Sequence, residues 1–121
     1  MEDQIRYYEE KLKYEIDPFD LHGRIVDGDH VVVVDARASE MYTERHITNA
    51  ISLPSGDMSQ ETTSHFDHTA LYVTYGDHVA CNASTKGALM LAKLGFHVKE
   101  MMGGLDVWLK YGYETECRRT A

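Results

Sequence analysis

Apolar and polar residues occur in blocks along this chain, and the blocks predict strands separated by helices. Residues 30–35 contain a β-branched run, Val31 to Val34, without polar alternation. Such a run is typical of a strand buried on both faces of a parallel sheet. Residues 71–75 and 96–101 predict two further strands, and residues 50–53, closed by Pro54, predict a short one.

The segments between these runs carry helix signals. Asp17 followed by Pro18 predicts a helix start, and that helix should run to about residue 26. Gly95 predicts the end of a helix over residues 83–94. Shorter helices are predicted at residues 39–45 and 105–111, with a helical turn around residues 60–66. Because strands alternate with helices, we predict a single α/β domain with a mainly parallel open sheet and helices on both faces.

The two ends of the chain differ from this pattern. Residues 2–14 predict an acidic helix with Ile5, Tyr8 and Leu12 on one face. We expect this face to pack on the domain, with a partner-binding face as the alternative. The polar tail should be frayed. The predicted organisation is an N-terminal helical extension (1–16), an α/β domain (17–113) and a tail (114–121).

Composition and charge limit the classes of protein to consider. The 121 residues are 43% hydrophobic and 26% charged, which is typical of one globular domain. The net charge of −8 repels phosphate backbones and anionic lipids, so neither nucleic acid nor membrane is an expected partner. Since the N-terminus is polar, we expect no signal peptide and a cytoplasmic location.

The chain has two cysteines, Cys81 and Cys117. Nothing else in the composition indicates secretion, so reduced thiols are a better interpretation than a disulfide. Cysteine and histidine pairs with zinc-site spacing are absent from the sequence, and His65 and His68 are better read as surface residues. We expect neither a metal nor a cofactor.

The chemistry should lie beyond the carboxyl ends of the strands, where open parallel sheets bind their ligands. The segment from Tyr75 to Ser84 is the most distinctive of the three that leave such an end. It passes from Gly76 to a helix N-terminus, whose free N–H groups favour an anion. Cys81 lies just before that helix, where a thiolate is favoured, so it is the candidate nucleophile. The alternative is a small buried hydrophobe without chemistry.

Several short motifs resemble those of the rhodanese-like (sulfurtransferase) family in order and spacing. They are Asp35-Ala36-Arg37, His46-Ile47 with Ala50 before Leu53-Pro54, the strand from Leu71 to Tyr75, Gly95-Phe96, Gly103-Gly104 and Trp108. The resemblance covers residues 18–113. It implies a doubly wound α/β domain that carries sulfane sulfur as a cysteine persulfide. In non-catalytic relatives the domain serves as a binding or regulatory module.

One departure from the family affects the expected chemistry directly. In the family the nucleophilic cysteine follows the central strand, and here that position is Gly76. The subfamily that this loop resembles has a second cysteine, which corresponds to Cys81, followed by residues that match Asn82, Thr85 and Lys86. The candidate binding residues are Gly76, Asp77, His78, Val79, Ala80, Asn82 and Arg37.

Side chains around the loop have structural alternatives as well. We expect Arg37 to form a salt bridge in preference to binding a ligand. His78 is either a solvated histidine or an acid/base group near neutral pH. Asp35 is expected to cap the helix that begins near Ser39, and Trp108 is expected to pack in the core.

Three functions follow from these residues. The favoured one is a binding or regulatory module without standard thiosulfate sulfurtransferase activity, because Gly76 offers no nucleophile. Its partner would be a small sulfur-containing anion or a protein. The alternative is a weak or atypical sulfurtransferase that carries a persulfide on Cys81. A thiol redox sensor is the second alternative.

Overall fold

Five parallel strands form the central sheet in the computed structural model, which describes residues 1–118. The strands of the chain are β1 (Glu15–Ile16), β2 (Val31–Asp35), β3 (His46–Ile47), β4 (Ile51–Ser52), β5 (Leu71–Tyr75), β6 (His97–Met101) and β7 (Thr115–Glu116). The order in the sheet is β1-β6-β5-β2-β4, and β3 pairs with β7 in a separate antiparallel ribbon. The predicted parallel α/β architecture is confirmed.

Helices cover both faces of the sheet. They are α1 (Glu2–Tyr14), α2 (Pro18–Val26), α3 (Ser39–Glu44), α4 (Ala83–Lys93) and α5 (Gly104–Lys110), with a 3-10 turn at Ser55–Asp57. The predicted start of α2 is confirmed, because the Asp17 carboxylate accepts a hydrogen bond from the Asp20 N–H at 2.7 Å. In the part of the chain described, none of the helices is long and apolar enough to cross a membrane.

The sheet buries one apolar layer on each face, which explains why β2 and β5 carry apolar side chains at successive positions. Val33 and Val73 pack with the buried residues of one layer, which includes Leu21 of α2 and Trp108 of α5. Val34 and Tyr72 belong to the opposite layer, which includes Leu91 of α4 and Phe96. Trp108 is 2% exposed, so its predicted packing role is confirmed.

The structure corrects two local predictions. The Asp35 carboxylate does not cap α3, which has no side-chain cap; instead it binds Arg37. By contrast, the predicted helical turn around residues 60–66 is confirmed, because the Thr63 N–H donates to the Ser59 carbonyl at 3.1 Å and the Phe66 N–H to the Thr63 carbonyl at 3.0 Å. Residues 115–116 are not frayed, because they form β7 against β3. Residues 119–121 of the predicted tail lie outside the described part of the chain.

The helix α1 has the predicted bounds but not the predicted packing. Ile5, Tyr8 and Leu12 are 55%, 54% and 82% exposed, and none of the residues of α1 is buried. The expectation that this face packs on the domain is therefore wrong. The helix approaches the sheet at β1 and β6.

Candidate functional site

The loop between β5 and α4 is held at the carboxyl edge of the sheet by the start of α5. The N–H groups of Leu105 and Asp106 donate to the carbonyls of Gly76 and Asp77 at 2.9 and 3.0 Å. Gly104, with φ +68°, makes this contact possible: a Cβ there would lie 2.7 Å from the Asp77 carbonyl carbon and the His78 nitrogen. Any side chain at residue 104 would therefore push the loop away.

The thiol of Cys81 points towards Gly76 across the loop. A Cβ placed on Gly76 would lie 3.2 Å from Cys81 Sγ and 3.5 Å from the Ser84 nitrogen, in the first turn of α4. The turn that presents the thiol is fixed by two hydrogen bonds to His78. Its carbonyl accepts from the Cys81 N–H, and its Nδ1 accepts from the Ala80 N–H. The sulfur therefore lies beside the position at which the family places its nucleophile.

A cavity of about 330 Å³ opens beside this thiol, and we call it the thiol cavity. Six of the predicted residues line it: Gly76, His78, Val79, Ala80, Cys81 and Asn82. Its other lining residues come from β1, from the first turn of α4, from the end of β6 and from the turn that leads into α5: Glu15, Ser84, Thr85, Glu100, Met101, Met102, Gly103 and Gly104. The sequence predicts a strand over residues 96–101, but nothing in it marks Glu100 as a residue that lines this site.

The Glu100 carboxylate lies at the N-terminus of α4. Its Oε1 accepts hydrogen bonds from Ser84 Oγ, at 3.0 Å, and from Thr85 Oγ1. A carboxylate in this position interacts favourably with the helix dipole. The preference of this helix terminus for an anion is thus met in part by the protein itself.

Arg37 is buried and does not line the thiol cavity. Its guanidinium binds the Asp35 carboxylate at 2.8 Å and Asp77 Oδ1 at 3.2 Å, and Nη2 also donates to the Arg45 carbonyl. Burial acts to lower the pKa of Arg37, but the hydrogen bond and charge of Asp35 outweigh it and raise the pKa. The preferred sequence interpretation, a salt bridge, agrees with these contacts: the bridge joins the end of β2 to the loop, and Nη2 also donates to the carbonyl of Met41 in α3.

The remaining member of this buried cluster is Tyr75. Its hydroxyl donates to Asp35 Oδ2 at 2.8 Å and accepts from the Ile47 N–H at 3.1 Å. Burial, reinforced by the negative charge of Asp35, raises the pKa of Tyr75, so the phenol stays protonated as a donor. Asp35, Arg37, Tyr75 and Asp77 are called the Arg37 cluster below.

The thiol cavity carries little positive charge. Among the described residues, neither lysine nor arginine lines it, whereas the carboxylates of Glu15 and Glu100 do. Glu15 is paired with Lys11 at 2.6 Å, outside the cavity lining. Within residues 1–118, no three His, Cys, Asp or Glu side chains lie close enough together to hold a metal ion.

The fold and the site together define an α/β domain in which a thiol lies in a loop between a central strand and a helix N-terminus. The model of the rhodanese-like domain family matches residues 18–111. The chain therefore belongs to the rhodanese-like domain family. A search of curated proteins gave no match.

Solved structures agree with this assignment. The BH2092 protein of Bacillus halodurans is 40% identical, with a TM-score of 0.88 over 96% of this chain and 85% of that one. A full-length protein from Lactobacillus plantarum is 25% identical, with a TM-score of 0.82 over 97% and 99%. The rhodanese-like domain of the Alr3790 protein from Anabaena is 27% identical, with a TM-score of 0.76 over 85% and 78%.

Proposed function

We propose that this domain carries sulfane sulfur as a persulfide on Cys81 and uses thiosulfate poorly or not at all. The observation that supports it is the direction of the Cys81 thiol, whose sulfur lies 3.2 Å from the position of a Cβ on Gly76. A thiol in this position faces the same loop and the same helix N-terminus as the nucleophile that the family resemblance implies. It therefore replaces that nucleophile from the other end of the loop.

The proposed step needs a donor that brings its own sulfane sulfur. The Cys81 thiolate attacks the outer sulfur of a persulfide, R–S–SH. The new S–S bond forms on Cys81, the bond between the two donor sulfurs breaks, and the donor leaves as its thiolate, RS⁻. A later thiol acceptor takes the outer sulfur by the same exchange. Sulfur atoms and electrons balance without a further oxidant.

The charges around the thiol disfavour thiosulfate as that donor. A dianion is recognised by arginine or lysine at short distance, but Arg37 is committed to Asp35 and Asp77. The terminus of α4 already interacts with the Glu100 carboxylate. This agrees with the prediction that standard thiosulfate sulfurtransferase activity is weak or missing.

Mass measurement of the intact protein tests this function. Reduced protein is treated in parallel with cysteine persulfide and with thiosulfate, using the wild type, Cys81→Ser and, as the matched control, Cys117→Ser. We expect cysteine persulfide to add the mass of one sulfur atom to the wild type and to Cys117→Ser but not to Cys81→Ser. An unmodified wild type, or an adduct that persists in Cys81→Ser, would overturn the proposal.

A binding module without sulfur transfer is the second candidate function. It is favoured by Gly76, which leaves the family's usual nucleophile position without a side chain. It is also favoured by the pairing of Arg37 with Asp35, which neutralises the charge of this arginine. In that case the wild type gives no persulfide, while the double variant Gly76→Cys, Cys81→Ser gains thiosulfate:cyanide transfer. Such a gain over an inert parent separates this candidate from the persulfide carrier.

A further inference from the structure

An open groove lies between helices α1 and α2, and it is called the α1–α2 groove. Its volume is about 780 Å³. The apolar side chains that line it include Tyr8 and Leu12 of α1, Phe19 of α2 and Met102. Phe19 is 67% exposed and Met102 is 47% exposed. Large apolar side chains that are grouped and exposed in this way indicate an interaction site.

The α1–α2 groove is continuous with the thiol cavity, because Glu15 and Met102 line both. The Met102 N–H donates to the Ile16 carbonyl at 2.9 Å, which fixes the backbone at this junction, while the side chain stays partly exposed. Val79, which also lines the thiol cavity, is exposed as well. Exposed apolar side chains therefore extend from the surroundings of the Cys81 thiol into the groove.

The charged side chains of the α1–α2 groove oppose one another. The cations Lys11, Arg24 and Lys99 are accompanied by the carboxylates of Glu15, Asp17, Asp20 and Asp27. Lys11 is paired with Glu15 at 2.6 Å, and the Asp17 carboxylate accepts from the Asp20 N–H. The groove therefore offers a binding partner apolar contact in the first place, and it does not need a strongly charged one.

A protein covers these two continuous spaces better than a small molecule does. A small persulfide donor needs only the thiol cavity of about 330 Å³ and leaves the groove open to solvent. An anionic lipid surface is repelled by the net charge of −8. A polypeptide whose cysteine enters the thiol cavity can instead place the neighbouring apolar side chains in the groove. Gly23 of α2 gives that chain room, because a Cβ there would have no other heavy atom within 4 Å apart from its chain neighbours.

We propose that the partner in sulfur exchange with Cys81 is a protein whose reactive cysteine is flanked by apolar residues, and that the α1–α2 groove binds those residues. The inference rests on the proposed function for the sulfur that is exchanged. The Cys81 thiolate takes the outer sulfur of the partner's persulfide, and the partner leaves as its thiolate. Docking itself requires only that Cys81 reacts with a cysteine of the partner.

Disulfide exchange with two model peptides tests the docking surface. Both peptides are neutral and capped, with one cysteine flanked on each side by two leucines or by two serines, and each cysteine is activated as its 2-pyridyl disulfide. The Cys81 thiolate attacks the peptide sulfur, the mixed disulfide forms, and pyridine-2-thione leaves and is measured by its absorbance. All proteins carry Cys117→Ser so that only Cys81 reacts. We expect the leucine peptide to react about tenfold faster than the serine peptide, because its side chains are buried in the groove.

Two variants of the groove should reduce this ratio of rates at least threefold. Gly23→Gln fills the groove from α2 at a position with free space, where glutamine also has the higher helix propensity. Leu12→Ser removes an exposed apolar side chain from α1. The matched controls are Gly56→Gln, whose Cβ also has free space, and Leu89→Ser, which is 54% exposed on α4 and does not line the groove. Both controls should keep the ratio of the parent.

A ratio close to one in the parent protein overturns the proposal, and so does a high ratio that both groove variants retain. The exchange with the peptides uses no sulfane sulfur, so its outcome is separate from that of the persulfide mass measurement. If Cys81 gains one sulfur atom from cysteine persulfide but shows no preference for the leucine peptide, only the docking surface is wrong. If the preference is found without a persulfide adduct, the proposed sulfur transfer is wrong and the docking surface remains.

Discussion

The Arg37 cluster and the thiol cavity lie at the same carboxyl edge of the sheet and share one loop, yet they are built in opposite ways. In the Arg37 cluster every charge meets a partner, and the Arg37 and Asp35 side chains are 5% and 0% exposed. In the thiol cavity, Cys81 is partly exposed and its sulfur faces open space beside Gly76. Asp77 belongs to the first region and Cys81 to the second, only four residues later.

This difference separates the anchored part of the loop from the part that presents the thiol. Asp77 joins the loop to the buried guanidinium, and its backbone carbonyl is held by α5. Beyond it the loop is free to present a thiol without a neighbouring cation in the cavity lining. The positive charge of Arg37 at this edge is therefore used within the fold and does not line the thiol cavity.

The largest expected effect comes from removing the guanidinium at the centre of the Arg37 cluster. Arg37→Met keeps most of the side-chain volume but leaves the buried Asp35 carboxylate with only its Tyr75 and backbone hydrogen bonds. Breaking one partner of a buried ion pair costs about 3–5 kcal/mol in the free energy of unfolding. Urea denaturation measures this loss.

The matched control for that variant is Arg6→Met. Arg6 is 68% exposed and lies 4.0 Å from Asp3, and an exposed pair of this kind contributes only about 0–1 kcal/mol. If Arg37→Met and Arg6→Met lose the same small amount of stability, the Arg37 cluster is not the structural anchor described above.

The second prediction joins the two ends of the loop covalently. A Cβ on Gly76 would lie 3.6 Å from Cys81 Cβ, within the range of about 3.5–4.5 Å found in disulfides. Gly76→Cys should therefore form a disulfide with Cys81 under mild oxidation and add about 2 kcal/mol to the free energy of unfolding for so short a loop. Intact mass and thiol titration measure the bond.

The control for this disulfide is Gly56→Cys, because a Cβ on Gly56 has no other heavy atom within 4 Å apart from its chain neighbours. That variant should keep all of its thiols free within the monomer. A Gly76→Cys protein that keeps its two loop thiols reduced under the same oxidation would show that the Cys81 thiol points elsewhere.

The sequence predicts the sheet and the loop well because both depend on local signals. The apolar runs and the Asp17-Pro18 cap determine the main strands and α2, and the position of Cys81 before a helix predicts its place in the thiol cavity. Short elements are different. β1, β3 and β7 have two residues each, and their pairing depends on tertiary contacts that leave no periodic pattern in the sequence.

Side-chain pairing was the harder part of the site to predict. Asp35 has the spacing of a helix cap, but the guanidinium of Arg37 two residues later offers a buried carboxylate a stronger charged partner. Glu100 comes from a strand 16 residues beyond Ser84, and only the parallel register brings it to the first turn of α4. Neither contact can be read from sequence spacing.

The third prediction tests the negative charge of the thiol cavity. Glu100→Gln keeps an acceptor for Ser84 and Thr85 and removes the charge. The rate at which iodoacetate alkylates Cys81 should rise, while the rate with neutral iodoacetamide changes less. In a solvent-filled cavity, the repulsion between the Glu100 carboxylate and the iodoacetate anion amounts to less than about 1 kcal/mol. The ratio of the iodoacetate rate to the iodoacetamide rate should therefore change by no more than about fivefold. Glu61→Gln, on an exposed turn, is the control, and a ratio that moves equally in both variants contradicts the prediction.

The smallest effect is expected at Glu116, a carboxylate that is 45% exposed, whereas the Asp35 carboxylate is fully buried, so the comparison tests whether burial of the carboxylate distinguishes the Arg37 cluster. Glu116 Oε1 accepts from the Asn49 N–H at 3.0 Å and lies 3.1 Å from His46 Nε2. The Asn49 hydrogen bond and then the His46 contact lower the pKa of Glu116 from its ordinary value of 4.5.

The sign of the pH dependence follows from that direction. A carboxylate whose pKa is lower in the folded state stabilises the fold above its unfolded pKa, and this contribution is lost as the pH falls through the folded pKa. Glu116→Gln should therefore lose this small contribution at pH 7 and flatten the fall in stability between about pH 5 and pH 3, so that the two proteins converge at low pH. Urea denaturation across this pH range measures it, with Glu61→Gln as the control. A large loss of stability at pH 7 would instead mean that the contacts of Glu116 between β7 and β3 stabilise the fold as much as the Arg37 cluster does. Burial of the carboxylate would then not explain why the Arg37 cluster is the structural anchor.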